Sequence, residues 1–197
     1  MLVDLPSGQQ ELVVSVRGKI RAFNPQTGTE LWSCHGVDDY VVPSIIAHDG
    51  VVYAIGGRSN TALAVKAGGK GNVTELWRIG KGSNVTSPVY HDGHIYWSHE
   101  GNGIAYCVTA DKGTVVFDER LRPNSDRIYG SPIVADGKLY FVSRQKGVHV
   151  VEAKPQFKLL AHNVIKDDTS VFNGSPVVLN SQLLLRSNRY LYCIGKK

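Results

Sequence analysis

The chain has 197 residues, of which 42% are hydrophobic and 20% are charged, a composition that supports a folded core and excludes a disordered chain. Its formal net charge of +5 comes without a Lys/Arg run interleaved with aromatic residues, which argues against nucleic-acid binding. No apolar run approaches the roughly 20 residues of a membrane span, the first ten residues lack the regions of a signal peptide, and three widely spaced cysteines predict neither a zinc site nor a vicinal disulfide.

The first unit of the chain, residues 1–35, contains four short strand-like runs separated by turn residues. The runs are LVDL, ELVVSV, KIRAFN and TELWSC. Strands this short that follow one another directly can pair only as an antiparallel meander. No segment of the chain shows a convincing helical period of useful length. We therefore predict an all-β fold.

The same arrangement recurs along the rest of the chain. Four segments align on a proline, namely VVPSIIAHDGVVYAIG, TSPVYHDGHIYWSH, GSPIVADGKLYFVS and GSPVVLNSQLLLRS, and these prolines are separated by 45, 44 and 44 residues. A four-stranded sheet of about 44 residues cannot bury both of its faces alone, whereas radially repeated sheets pack face to face. The prediction is a β-propeller of four-stranded antiparallel blades, since a linear β-solenoid would have shorter, parallel coils. The predicted blades span residues 1–35, 41–80, 85–121, 129–163 and 173–197.

The two ends of the chain are not expected to complete a ring. The last unit supplies only three strands, so that the chain holds about 4.75 blades. We expect an open partial propeller, the C-terminal part of a longer one, whose first and last sheets expose surfaces that favour self-association. The alternative is a closed five-bladed ring with a three-stranded last blade.

One stretch of the first unit, AFNPQTGTELW, carries a family signature. It meets the pattern Ala-x-Asn/Asp-x-x-Thr-Gly-x-x-x-Trp through Ala22, Asn24, Thr27, Gly28 and Trp32. This pattern resembles the pyrroloquinoline-quinone-type repeat of the quinoprotein alcohol dehydrogenase-like propellers. That family includes non-catalytic members, such as an outer-membrane assembly lipoprotein, to which the chain is nearer. The resemblance covers essentially the whole chain.

Later units keep the signature in a decayed form. The second ends in Trp77 after a turn stretched to KAGGKGN, the third ends in Phe117, and the fourth has lost both the Thr-Gly and the Trp. WD repeats would need a Gly-His with a Trp-Asp, and Kelch repeats need Gly-Gly pairs, of which only Gly56–Gly57 is present. The resemblance implies that the tryptophans staple adjacent blades. The predicted blade-packing residues are Ala22, Thr27, Gly28, Trp32, Trp77 and Phe117.

The sequence offers little evidence for catalysis. A resemblance to the dehydrogenases of this fold implies a Trp platform, a calcium ion held by Glu, Asn and Asp, a catalytic Asp and commonly a Cys-Cys disulfide. The Cys-Cys pair is absent, and no HExxH, GxSxG, Walker or dinucleotide motif occurs. We therefore assign no catalytic, cofactor-binding or metal-binding residue, and pyrroloquinoline quinone and calcium are disfavoured.

A basic or titratable residue follows the second strand of every unit. The five residues are separated by steps of 41, 41, 45 and 42, and they are Arg17, Arg58, His99, Arg144 and Arg186. Hairpins between second and third strands share one rim of a propeller with the connections between blades. Five cations there would focus a positive potential, which the connection acids Asp38–Asp39 and Asp167–Asp168 would partly offset. The pattern predicts contacts to an anionic ligand or a protein partner; the plain alternative is solvated hairpin tips.

These observations favour a non-catalytic binding or scaffold propeller that recognises its partner through the loop rim. By resemblance to the family, we expect it to act outside the cytoplasm, as a periplasmic or secreted protein. The alternative function is a C-terminal fragment of a pyrroloquinoline-quinone-dependent dehydrogenase.

Overall fold

Tight turns join the short apolar runs into hairpins throughout the chain. The computed structural model, which describes residues 1–195, forms twenty strands. Asp49–Gly50 and Asp92–Gly93 have positive φ at both residues, which is the type I′ geometry that suits a two-residue hairpin. No helix in the described chain is long and apolar enough to cross a membrane.

The strands form five sheets, called blades 1 to 5 in chain order. Blade 1 consists of β1 (Leu2–Asp4), β2 (Gln10–Val16), β3 (Lys19–Phe23) and β4 (Glu30–His35). Blade 2 consists of β5 (Ile46–His48), β6 (Val51–Gly56), β7 (Thr61–Lys66) and β9 (Glu75–Ile79). A further strand, β8 (Gly71–Asn72), lies between β7 and β9 in the sequence. Blade 3 consists of β10 (Val89–His91), β11 (His94–Ser98), β12 (Ile104–Thr109) and β13 (Val115–Arg120). Blade 4 consists of β14 (Ile133–Ala135), β15 (Lys138–Val142), β16 (Val148–Glu152) and β17 (Leu159–Asn163), and blade 5 of β18 (Val177–Leu179), β19 (Gln182–Arg186) and β20 (Leu191–Ile194).

Blade 1 has one strand more than the sequence predicts. The short β8 leaves blade 2 and pairs in parallel with β4, with Trp32 opposite Gly71 and Ser33 opposite Asn72. The stretched turn KAGGKGN is therefore an inter-blade crossing and not only a long hairpin. The Gly68 N–H within it donates to Oε2 of Glu11 at 3.1 Å, which anchors the crossing on blade 1. A two-residue strand is too short to leave a periodic pattern in the sequence.

The third and fourth strands of each four-stranded unit share one irregularity. The register shifts directly after Ala22, Ala64, Cys107 and Val150. The residues opposite these four positions are Trp32, Trp77, Phe117 and Ala161. The structure thus repeats the signature register four times, although the fourth copy has an alanine in the aromatic position.

The core consists of four buried clusters, each of which lies between two consecutive blades. Side chains alternate along each strand, so a blade packs one face on the blade before it and the other on the blade after it. In residues 1–195 no such cluster joins blade 5 to blade 1. Of the sixteen exposed large hydrophobic residues, ten lie on blades 1 and 5. The open partial propeller is therefore confirmed over the closed ring, and self-association stays a prediction.

A serine beside each aligned proline links the segments that lead into the first strands of neighbouring blades. The N–H of Ser44 donates to Oγ of Ser87 at 2.9 Å, the N–H of Ser87 to Oγ of Ser131 at 3.0 Å, and the N–H of Ser131 to Oγ of Ser175 at 2.9 Å. One hydroxyl per blade thus satisfies a backbone donor of the preceding blade. These hydrogen bonds join residues 43 or 44 positions apart, which requires successive blades to have nearly the same length.

The signature aromatics lie where neighbouring blades meet. Nε1 of Trp32 donates to Oε2 of the buried Glu11 at 2.7 Å, and Nε1 of Trp77 donates to the carbonyl oxygen of Ala110 in blade 3 at 2.9 Å. Phe117 contacts Phe157 of blade 4 edge-on, with ring centroids 5.5 Å apart. Each aromatic side chain is almost fully buried. Blade packing therefore accounts for their surroundings without a cofactor.

The turn of the signature is stabilised within itself. Oδ1 of Asn24 accepts the N–H groups of Gln26 and Thr27, and the carbonyl oxygen of Asn24 accepts the N–H of Gly28. Gly28 has φ +71, which favours glycine, and the hydroxyl of Thr27 accepts the N–H of Thr29. Ala22 lies fully buried opposite Trp32, where a larger side chain would compete with the indole for space.

Candidate binding surface on the connection rim

One end of the propeller carries the hairpins between second and third strands and the connections between blades, because consecutive antiparallel strands alternate in direction. We call this end the connection rim. Its hairpins are residues 17–18, 57–60, 99–103, 143–147 and 187–190, and its connections are residues 36–45, 80–88, 121–132 and 164–176. Backbone hydrogen bonds tie hairpins to connections, such as Arg144 N–H to the oxygen of Arg127 at 2.8 Å and Phe172 N–H to the oxygen of Arg144 at 2.9 Å. The rim is therefore a continuous hydrogen-bonded surface.

All five residues that the sequence singles out lie on this rim, after or at the end of a second strand. They are Arg17, Arg58, His99, Arg144 and Arg186. Arg17 and Arg58 line the same cleft, which has a volume of about 440 Å³. The other three belong to blades 3, 4 and 5. The structure therefore brings together two of the five, and a role for any of them in binding stays a prediction.

Arg58 is held by the connection that precedes its blade. Its guanidinium carbon lies 4.5 Å from the ring centroid of Tyr40, and its backbone N–H donates to Oδ1 of Asp39 at 2.8 Å. A guanidinium that lies over an aromatic ring makes a cation–π contact, and its five N–H donors leave capacity to bind an anion as well. The contact between Arg58 and Tyr40 thus positions a donor edge at the rim.

The close fit between this hairpin and the connection depends on Gly57. Its φ of +76 favours glycine, and a Cβ atom there would lie 3.0 Å from Cγ1 of Val37 and 3.1 Å from Oδ1 of Asp39. Tyr40 itself has φ +47, a conformation in which a bulky residue is strained. Such strain persists only where surrounding contacts enforce it, and it is frequent at binding sites.

A second pair of the same type occurs two blades further along the rim. The guanidinium carbon of Arg144 lies 4.5 Å from the ring centroid of Tyr129, and its Nε donates to Oδ1 of Asn173 at 2.8 Å. Tyr40 and Tyr129 both stand three residues before one of the aligned prolines, Pro43 and Pro132. His99 differs, since its Nδ1 accepts the N–H of Gly101 at 3.0 Å.

The acidic residues of the rim do not pair with its arginines. In the described chain, Arg17, Arg58, Arg144 and Arg186 form no ion pair with a carboxylate within 4.0 Å. Asp38 contacts Nε2 of His35 at 2.9 Å, and Glu100 accepts from Ser83 and from the N–H of Asn84. The acids thus hold loops in place, and the arginine side chains keep their capacity for an external anion.

Asp168 shows how firmly one of these acids is engaged. Its carboxylate accepts hydrogen bonds from the hydroxyl and N–H of Ser170 and from the hydroxyl of Tyr192. These bonds lower the pKa of Asp168 to about 2, with Ser170 as the largest cause. The hydrogen bond to Asp168 also raises the pKa of Tyr192 to about 12. The side chain of Asp168 therefore joins the last connection to Tyr192 in β20.

Two histidines brace the loops that carry the second arginine pair. His149 is 0% exposed, and its Nε2 contacts the carbonyl oxygen of Pro123 at 2.9 Å. The ring of His162 lies 4.5 Å from that of His149, and its Nε2 contacts the carbonyl oxygen of Lys146. Together they hold the connection that bears Tyr129 and the hairpin that bears Arg144. Burial lowers the pKa of His149, and Nδ1 of this ring has no hydrogen-bond partner among the described residues.

We expect the free energy of unfolding to fall as the pH is lowered from about 7 to about 5, with a part of this dependence due to His149. Because the pKa of His149 is lower in the folded protein, the unfolded chain binds more protons in that range. One such group contributes at most about 1.4 kcal/mol per pH unit. Urea denaturation at a series of pH values should show a shallower dependence for H149F than for the parent protein. Equal slopes in the two proteins would contradict the assignment.

Sequence reasoning missed the partners of the arginines. Tyr40, Tyr129 and Asn173 share one position, three residues before one of the aligned prolines. That common position was available as a signal, but nothing in the sequence connects it with a hairpin some 15 to 30 residues away. In the sequence, Gly57 stands out only as half of the Gly56–Gly57 pair that a Kelch repeat would need.

The chain matches a known protein family over most of its length. The model of the family described as outer membrane protein assembly factor BamB matches residues 16–190. No curated protein sequence matches the chain.

Three solved structures illustrate the fold that the chain shares. The crystal structure of BamB from Moraxella catarrhalis superposes with a TM-score of 0.70 at 13% identity, covering 95% of this chain and 57% of that one. The C-terminal WD40 domain of Sif2 gives a TM-score of 0.72 at 12% identity, covering 93% and 53%. The computationally designed Ika4 protein gives 0.63 at 13% identity, covering 86% and 100%. The chain thus spans little more than half the length of the first two proteins, and these likenesses show the propeller fold.

Proposed function

The chain belongs to the family described as outer membrane protein assembly factor BamB, and from this premise we propose that it is a non-catalytic scaffold propeller that binds a protein partner through its connection rim. The observation that carries the proposal is the set of four rim arginines without a carboxylate partner in the described chain. Two of them are held on tyrosine rings at 4.5 Å. Guanidinium groups that have no carboxylate partner within the protein favour a partner with an acidic surface.

The proposed role uses the rigidity of the fold. Hydrogen bonds between hairpins and connections fix the rim loops on five packed blades. Recognition by loops on a rigid scaffold loses little conformational entropy on binding. The positive rim would also accelerate the encounter with an acidic partner, and this acceleration would weaken as salt is added.

We place this function outside the cytoplasm, at the outer membrane. The support for this location is the family description, which names an outer membrane assembly factor. The partner and the location are therefore inferred from the family and not from a residue of this chain.

The second candidate, a fragment of a quinone-dependent dehydrogenase, rests on the resemblance of the repeat alone. Among residues 1–195, no three His, Cys, Asp or Glu side chains are arranged to hold a metal ion. We assign no calcium ligand among the described residues and derive no reaction step through such a site. The lack of a cofactor stays a prediction, which mass spectrometry of the purified protein for bound quinone would test.

Site-specific photo-crosslinking in cells tests the proposed surface. A photoreactive residue at the exposed positions Gln145 or Asn188 on the connection rim should give a protein adduct, whereas the exposed positions Gln26 and Lys112 on the opposite rim should not. Adding R58Q and R144Q together should reduce the adduct about tenfold or more, since each removes a charge-assisted contact. Adducts of equal yield from both rims would contradict the proposal.

A further inference from the structure

We propose that the cleft between blades 1 and 2 on the connection rim is a binding site for a single carboxylate, which takes a glutamate or aspartate side chain of an extended acidic segment. This inference rests on the proposed function, because it names the chemistry by which the partner is recognised. The cleft has a volume of about 440 Å³ and is lined by Arg17, Asp39, Tyr40, Val41 and Arg58. It is thus wide enough for a side chain and is open at the rim.

Two guanidinium groups reach this cleft from different blades. Arg17 follows β2 of blade 1, and its Nε donates to the carbonyl oxygen of Asp38 at 3.2 Å. Arg58 follows β6 of blade 2 and lies over the ring of Tyr40. Each anchor occupies only part of the guanidinium, which has five N–H donors. The remaining donors suit the two oxygens of a carboxylate, which arginine binds in a bidentate manner.

The charge balance of the cleft favours a carboxylate over a doubly charged phosphate. Arg17 and Arg58 contribute two positive charges, and the carboxylate of Asp39 contributes one negative charge. One oxygen of Asp39 accepts the backbone N–H of Arg58 at 2.8 Å, so this acid is held in the wall of the cleft. The net charge of the lining is then one positive unit, which a single carboxylate neutralises. A phosphate dianion would leave an excess negative charge beside Asp39.

The apolar part of the lining suits the stem of an acidic side chain. Val41 and the ring of Tyr40 face the cleft, and Tyr40 is 48% exposed. An aliphatic stem that covers them would remove apolar surface from water. The backbone hydrogen bond from the N–H of Gly57 to the oxygen of Tyr40 at 3.4 Å and the tight approach of Gly57 to Val37 and Asp39 hold this wall in place before any ligand arrives. A preorganised site of this kind loses less entropy on binding.

The test uses the whole chain and two matched synthetic peptides, acetyl-(Glu-Gly)4-amide and acetyl-(Gln-Gly)4-amide. Titration at low salt is followed by the side-chain Nε–H resonances of arginine in ¹⁵N-labelled protein. The expected result is a saturable shift of the Arg17 and Arg58 resonances with the Glu peptide and none with the Gln peptide. R58Q or R17Q should weaken binding about tenfold, and R58K should lose most of the affinity because it keeps the charge but not the bidentate edge. K112Q, which removes a charge from the opposite rim, should change binding less than about twofold.

Several results would overturn the inference. One is equal weakening by K112Q and R58Q, which would show a net-charge effect without a site. Another is inorganic phosphate that shifts the same resonances more strongly than the Glu peptide, which would assign the cleft to a different anion. If the Glu peptide does not bind while crosslinks from Gln145 and Asn188 persist, the carboxylate site is wrong and the scaffold function stands. If both fail, the rim is not the binding surface.

Discussion

Replacing Trp32 by alanine is expected to lower the free energy of unfolding by about 4 kcal/mol, within the range for a large aromatic removed from a core. Trp32 is 1% exposed and lies in the cluster that joins blades 1 and 2. Its loss opens a cavity and removes the Nε1–H donor from Glu11, whose side chain is buried. Among the described residues, Glu11 would then keep the N–H of Gly68 as its hydrogen-bond partner. Both effects act at one interface, so urea denaturation of W32A against the parent protein measures them together.

The variant W32F separates the two contributions. It keeps most of the apolar volume and removes the indole N–H, so the expected loss is about 1 to 3 kcal/mol, the cost of an unsatisfied buried group. A loss below about 1 kcal/mol for W32A would show that the blades do not depend on this contact. A loss for W32F as large as that for W32A would show that the hydrogen bond to Glu11 dominates over the packing.

Gly113→Ala is expected to destabilise the protein by about 3 kcal/mol, through strain at φ +65 and overpacking together. A Cβ atom at this position would lie 2.6 Å from the ring atoms Cδ2 and Cε3 of Trp77. Trp77 cannot move freely, because its Nε1 is bonded to the oxygen of Ala110. The glycine of the signature in blade 3 thus provides the surface on which the tryptophan of blade 2 rests.

Gly28→Ala is the matched control for this effect. Gly28 holds the same position in the signature of blade 1, with φ +71, but a Cβ atom there would meet nothing within 4 Å. Its expected cost is therefore the conformational part alone, about 1 to 2 kcal/mol. Equal losses for the two variants, measured by thermal and urea denaturation, would show that Gly113 is needed for its backbone conformation and not for the contact with Trp77.

Much of the fold follows from local patterns. The period of the proline-aligned segments, the Asp-Gly turns and the alternation within strands predict the blades, and the strands of the structure fall within the predicted spans. The signature also predicts the register between third and fourth strands, since Ala22 and Trp32 face one another as do Ala64 and Trp77. The rim position of the five basic or titratable residues follows from the same register.

The crossing of β8 and the partners of the rim arginines could not be predicted in this way. Gly71–Asn72 pairs with a strand about 40 residues earlier, and two residues carry no period. Arg58 meets Tyr40 because the connection before blade 2 folds back onto the hairpin of that blade. Such contacts depend on how whole sheets pack, and no local pattern specifies them.

The amino-acid sequence by itself therefore determined the architecture of this protein: strand order, blade period and which rim the basic residues occupy. These properties depend on backbone turns and on the alternation of side chains, which act over a few residues. The tertiary structure alone decided that Gly113 lies under Trp77, that Glu11 accepts the indole N–H of Trp32, and that Arg17 and Arg58 share a cleft in which Asp39 is held by the backbone N–H of Arg58. The physical reason is that the pairing of strands within a blade and the packing of neighbouring blades select these partners from residues about 20 to 40 positions apart, where sequence spacing no longer limits which side chains meet.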